Sequence, residues 1–223
     1  PFDIPKGWEW VRLGEVIEII GGVSYKKGDV LVDNFGMRVL RGGNIQNNSL
    51  ILYDDDVYIN KDSIAKEKII REGDIIIVAS TGSKTVIGKP AFIEKDYENI
   101  AIGAFLRIIR PINILNSKYI SKIFFSGIYR NYIRNISKGT NINNVKNEYL
   151  NNFIIPLPPL AEQKRIVEKV DELFALIDEL DSNKEDLLEV INLTRNQVLQ
   201  EAIQGKLVEQ NPEDEPVSVL LDR

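Results

Sequence analysis

The side chains that most often carry chemistry are missing here: among 223 residues there is no histidine and no cysteine. No imidazole is present to act as a base near neutral pH, to complete a Ser-His-Asp triad or to ligate a metal. No thiol is present for a disulfide, a nucleophile or a thiolate-held metal. Carboxylates, hydroxyls, amides and cations remain, and their groupings decide which chemistry is open.

Each enzymatic grouping fails on spacing. Gly82-Ser83-Lys84-Thr85 is a partial match to a phosphate-binding loop. That loop needs Gly-Lys-Ser/Thr in direct succession with a further Gly upstream; here Ser83 intervenes and position 78 is Val. Contact of Lys84 and the loop N–H groups with a phosphate stays open. Asp54-Asp55-Asp56 are three acids in succession, which do not point to one centre, and no glycine-punctuated calcium loop surrounds them. They read as a solvated turn or cap. Asp33, Asp74, Glu94 and Lys95 lack the spacing of a nuclease site and read as surface or turn residues. Pro158-Pro159 is flanked by Leu157 and Leu160, which offer a target base neither an acceptor nor a stacking face. The two prolines instead read as the rigid start of a helix. No catalytic residue and no metal ligand is assigned, and no cofactor is expected on this chain.

Binding chemistry is better supplied. The net charge of −5 conceals a split. Residues 1–155 hold 21 Lys and Arg against 17 Asp and Glu, a net of +4, and residues 156–223 hold 7 against 16, a net of −9. From Asn99 to Asn147 there are eight cations (Arg107, Arg110, Lys118, Lys122, Arg130, Arg134, Lys138, Lys146) and no acid. Such a run creates a field that recruits polyanions. Lys122, Arg130, Arg134 and Lys138 fall on or just after a predicted helix and are expected to meet DNA phosphates, which supplies affinity without sequence choice. Sequence choice needs side chains that hydrogen-bond base edges. The loop candidates are Ser24, Tyr25, Lys26 and Lys27; Arg41 and Asn44; Ser80, Thr81, Ser83 and Lys84; and Thr140, Asn141 and Asn143.

A scaffold must hold these residues. Alternation and apolar runs predict strands over Trp8–Leu13, Met37–Arg41, Val57–Ile59, Asp74–Ala79, Val86–Ile93, Ala101–Ile109 and Phe153–Ile155, with helices over Leu13–Ile20 and Ser117–Ile136. Several strands with few helices make residues 1–155 a mixed α+β domain. From Leu160 to Gln204 there is neither Pro nor Gly. Ile166, Val170, Leu173, Ile177, Leu180, Leu187, Ile191 and Val198 form an apolar seam, with Lys184 in its middle. The spacing predicts one long C-terminal α-helix within residues 156–207, about 69 Å long at ~1.5 Å per residue, forming a coiled coil. A lone copy would leave that seam wet, so a homodimer is expected. Lys184 would need Asp181 or a partner acid, and sets register at a cost in stability. Residues 208–223 read as an acidic tail carrying Pro212 and Pro216. No run of membrane-spanning length and no signal-peptide pattern is seen, so no membrane association is expected and a cytoplasmic location is.

Four stretches bear a family resemblance. They are Ile4-Pro5-Lys6-Gly7-Trp8-Glu9-Trp10-Val11-Arg12-Leu13-Gly14-Glu15; Ser137-Lys138-Gly139-Thr140 with Asn143; Ile155-Pro156-Leu157-Pro158-Pro159-Leu160-Ala161-Glu162-Gln163-Lys164-Arg165-Ile166-Val167; and Gln200-Glu201-Ala202-Ile203-Gln204-Gly205-Lys206-Leu207. In this order they resemble the specificity subunits of type I restriction–modification systems. The resemblance implies a DNA target-recognition domain followed by a helical region, with no catalysis of its own. It implies docking to a modification subunit that brings S-adenosylmethionine, and a restriction subunit that can join. The usual subunit has two such units, whose long helices pair antiparallel; this chain holds one. Two rival readings are a coiled-coil adaptor that binds protein only and a self-contained DNA methyltransferase or nuclease.

Overall fold

A computed structural model describes residues 2–32, 35–137, 139, 142–181 and 188–222. Lys138, Thr140, Asn141, Lys184 and Leu187, singled out above, lie outside the described residues, as does the side chain of Leu180. In chain order the strands are β1 (Glu9–Arg12), β2 (Ile17–Gly21), β3 (Met37–Leu40), β4 (Ile45–Gln46), β5 (Ser49–Leu50), β6 (Val57–Ile59), β7 (Ile75–Val78), β8 (Ser80–Thr81), β9 (Pro90–Phe92), β10 (Ile100–Ile102), β11 (Leu106–Pro111), β12 (Asn143–Asn144) and β13 (Ile154–Leu157). The helices are α1 (Ser117–Phe125), α2 (Gly127–Ile136), α3 (Asn147–Asn151), α4 (Leu160–Asp181), α5 (Leu188–Ile203) and α6 (Val217–Leu221).

The apolar run Ile75-Ile76-Ile77-Val78 explains the centre of the molecule. A strand apolar on every residue must be covered on both faces. β7 sits inside the antiparallel sheet β2-β11-β7-β9. Ile75 and Ile77 enter one core with α1, α2 and the C-terminal helices, while Ile76 and Val78 enter a second core that includes Leu40, Ile100 and Ile102. Those last three belong to the sheet β10-β3-β6, in which β3 pairs parallel with β10 and antiparallel with β6. β1 pairs antiparallel with β13, so the N-terminus is bound to the strand that leads into α4. The α+β character is as expected.

Three element expectations are corrected. Leu13–Ile20 is a single 3-10 turn over Leu13–Glu15 followed by strand β2. Spacings that suit a helical stripe also suit a strand buried on two sides, and pairing with β11 decides: Ile17 joins one core and Ile20 the other. Ser117–Ile136 is two helices, because Ser126 takes an extended conformation and its hydroxyl caps α2 by accepting from Tyr129 N.

The largest difference is at the C-terminus. The single long helix is replaced by α4 and α5, which run antiparallel and pack on each other: Asp178 is ion-paired to Arg195, whose guanidinium lies 5.9 Å over the Phe174 ring. Ile166 and Val170 of α4 share a core with Leu199, Ala202 and Ile203 of α5. The seam is thus covered largely by the chain itself, with Ile166, Val170 and Ile191 buried and Leu173, Ile177 and Val198 partly so. Among the described residues, the seam that motivated the homodimer expectation is not left bare. The acidic tail packs back on the domain: Val217 and Leu220 are buried in the core that holds Trp8, and Arg165 is ion-paired to Asp214. Among the described residues no helix is long and apolar enough to cross a membrane.

Candidate nucleic-acid interface

The turn between β10 and β11 ties three loops together. Val23 N donates to Ile102 O (2.7 Å), Gly103 N to Leu40 O (2.9 Å), and Ala79 N and Ser80 N both donate to Phe105 O (2.8 and 3.0 Å). The backbones pass so closely that a Cβ on Gly22 would lie 2.0 Å from Gly103 O; only glycine fits there. The result is one loop face. Ser24, Tyr25 and Arg41 line a cavity of about 340 Å³. Ser80, Thr81, Gln46 and Lys89 line a neighbouring cavity of about 560 Å³. Phe105 lines both.

A groove of about 980 Å³ lies beside it, between β9, α1, α2 and the α4–α5 hairpin. Among the described residues, seven cations line it (Lys89, Lys95, Lys118, Lys122, Arg130, Arg134, Arg195) against two acids, Glu94 and Asp171. Lys89 borders both this groove and the larger loop-face cavity, so the two are contiguous. Sequence reasoning left Gln46, Lys89, Lys95, Lys118, Arg195 and Phe105 out of the site. Lys118 was visible in the acid-free run; Arg195 was hidden in the net-negative segment, and only the return of α5 brings it to the groove.

Several side chains expected at DNA already have partners within the chain. Asn44 is buried: its Oδ1 accepts from Arg41 N (2.7 Å), and its amide donates to Ile51 O (2.9 Å) and Asp56 Oδ1 (2.7 Å), so no donor is left for a base. Of the acids read as a solvated turn or cap, Asp56 is buried and caps its turn, accepting from Tyr53 N (2.9 Å). Arg41 remains exposed, but its Nη2 donates to Asp55 O (3.2 Å). Asn143 is buried, pairs with Thr81 across β12 and β8, and donates to Thr81 O and Gly82 O (both 3.3 Å). Lys122 is ion-paired to Asp171 and lies 5.6 Å over the Phe174 ring, joining α1 to α4. Arg130 donates to Ile87 O (2.7 Å) and Thr85 O (2.8 Å), and burial pushes its pKa down to about 10. Ser83 Oγ is 3.0 Å from Thr85 Oγ1. Lys26, Lys27 and Lys84 are exposed and line none of the three cavities. Ser24 and Arg134 are exposed at the expected face and groove.

Two further residues leave the surface. Asp74, read as a turn residue, is fully buried and makes a two-pronged ion pair with Arg110 (2.8 Å to Nε and Nη2). Arg110 therefore adds nothing to the external field of the basic run.

Three of the four stretches that carried the resemblance meet at the base of the recognition domain. Buried Glu162 accepts from Trp8 Nε1 (3.0 Å) and from Gln210. Burial pushes its carboxyl above the usual range, against the pull of those bonds and of Arg165. Gln163 accepts from Asn116 N and donates to Pro158 O (both 2.9 Å). Gly205, at φ +68° after α5, packs so close that a Cβ would lie 2.4 Å from Pro5 Cγ. These residues clamp the N-terminus, the start of α4 and the end of α5 together, so they position the interface rather than form it.

Comparison with known proteins agrees with this arrangement. The family model "Type I restriction modification DNA specificity domain" matches residues 5–190. The chain is 37% identical over 216 residues to the type I restriction enzyme EcoKI specificity subunit of Escherichia coli (strain K12), covering 96% of this chain and 46% of that protein. It is 35% identical to the StySPI specificity subunit of Salmonella potsdam, covering 92% and 44%. The solved HsdS subunit from Thermoanaerobacter tengcongensis superimposes with a TM-score of 0.61 at 27% identity, covering 92% of this chain and 47% of that one. The chain spans about half the length of these relatives. On the family match and on these identities, it belongs to the type I restriction–modification DNA specificity domain family.

Proposed function

We propose that this chain is a DNA target-recognition unit of a type I restriction–modification complex and performs no catalysis itself. The observation that carries this reading is the continuity, through Lys89, of a polar loop face with a groove of seven cations. Cations along a groove bind phosphates irrespective of sequence, and Ser, Thr, Gln and Arg on an adjoining face are the side chains that read base edges. The modification subunit supplies S-adenosylmethionine and methylates adenine, and a restriction subunit joins the same cytoplasmic assembly. Exposed acids of the hairpin, Glu168 and Glu172 among them, suit a protein partner. A second recognition unit, from a second copy or from the other half of a longer chain, packs on the hairpin. Relatives about twice as long and the exposed Leu176, Val190 and Leu193 support it.

Gel shifts at graded salt test the reading. Affinity for duplex DNA is expected to fall with a log–log slope of about −4, corresponding to roughly four phosphate contacts, and to leave a residual preference for one sequence. No DNA binding in the presence of the modification partner would favour a protein-binding adaptor. Methyl transfer by this chain alone would make it an enzyme.

A further inference from the structure

Phe105 stands in the middle of the polar loop face. The residue is 66% exposed and borders both loop-face cavities. An exposed apolar residue is ordinary, and Ile142, 60% exposed, also lines the larger cavity, but two observations set Phe105 apart. Its backbone is held from both sides: Phe105 O accepts from Ala79 N and Ser80 N, and Leu106 N donates to Gly103 O at 2.9 Å. The ring is thus presented on a fixed turn, with little ordering cost left for binding. Its neighbours hydrogen-bond, Ser24 and Arg41 on one side and Ser80, Thr81 and Gln46 on the other.

An apolar group flanked by polar ones matches the major groove of B-DNA, where thymine displays a methyl group beside the donors and acceptors of neighbouring base pairs. We propose that Phe105 is a specificity-determining residue whose ring packs on the 5-methyl group of a thymine in the target. This assignment rests on the DNA-recognition reading. The cationic groove opening from the same cavity favours a polyanion over a protein surface. An exposed Phe can also act as a wedge between base steps; hydrogen-bonding side chains on both flanks favour reading of base edges.

The test uses the full chain and a duplex that it enriches from a randomised pool. Each thymine under the footprint is replaced in turn by uracil, which keeps the pairing and removes only the methyl. With the wild-type chain, one or two replacements are expected to lower affinity about fourfold, the share of one buried methyl. Phe105→Ala is expected to weaken the enriched duplex, leave a scrambled duplex unchanged and lose the uracil effect. Phe105→Leu, which keeps an apolar side chain on the same turn, is expected to retain part of it. Uracil sensitivity that persists in Phe105→Ala, or a target without thymine, overturns the assignment. So does 2-aminopurine fluorescence that rises at one base step while uracil has no effect, which marks a wedge. A wild-type chain that prefers no duplex sinks the DNA-recognition reading itself, a result distinct from a sequence-selective chain indifferent to Phe105.

Discussion

Glu162 is buried, with Trp8 Nε1 3.0 Å from one carboxylate oxygen and Gln210 bound at the other. Its position beside a proline pair suggested a helix start; its partners, 154 residues back and 48 residues on, make it a clamp. Burial raises its pKa above the unfolded value. Between those two values the folded chain holds more protons than the unfolded chain. This contribution to stability is fully present below the unfolded pKa and is lost as pH rises through the folded one. Urea unfolding from about pH 4 to about pH 7 is expected to show that loss, and Glu162→Gln is expected to remove it. An unchanged pH slope in the variant would assign the slope to other groups. Asp74 teaches the same lesson: nothing in Gly73-Asp74-Ile75 announces an ion pair with Arg110, 36 residues away.

At the scale of elements, α2 separates two arginines that looked equivalent. One turn apart, Arg130 and Arg134 both line the groove. Arg130 donates to the carbonyls of Thr85 and Ile87 and holds the loop between β8 and β9, where Gly88 (φ +69°) faces Ile133. Arg134 is exposed and donates to Thr85 O at 3.2 Å. Arg134→Ala is expected to weaken DNA binding alike for all sequences and to reduce the salt slope by about one, with stability unchanged. Arg130→Ala is expected to lower stability by about 1–3 kcal/mol, since Ile87 O loses its charged donor and Thr85 O keeps only that of Arg134. Denaturant titration beside gel shifts checks both; an Arg130→Ala chain as stable as wild type would return Arg130 to the phosphate-binding set.

For the whole molecule, one core joins the recognition domain to the hairpin and the C-terminal segment. Trp8, Ile123, Ile166, Leu199 and Val217 all belong to it. The helical region is therefore packed on the recognition domain through a shared core. The apolar side chains left outside, Leu176, Val190 and Leu193, are half or more exposed. Sedimentation velocity at micromolar concentration is expected to show a dimer of the isolated chain, and a Leu193→Glu variant a monomer. A wild-type monomer at that concentration would leave only a second unit on a longer chain.

The sequence by itself settled what depends on composition and local pattern. The absence of His and Cys removed imidazole and thiol chemistry, the apolar run Ile75–Val78 marked a strand covered on both faces, and the acid-free stretch supplied four of the cations that line the groove. It also marked an amphipathic C-terminal seam. Whether that seam meets another copy or its own continuation is a tertiary question, because an apolar face has the same periodicity whichever surface covers it. The return of α5 alone carries Arg195 to the groove, and close backbone packing alone gathers Ser24, Arg41, Phe105 and Ser80 around one turn. Those contacts join residues far apart in the chain, and no local spacing encodes them.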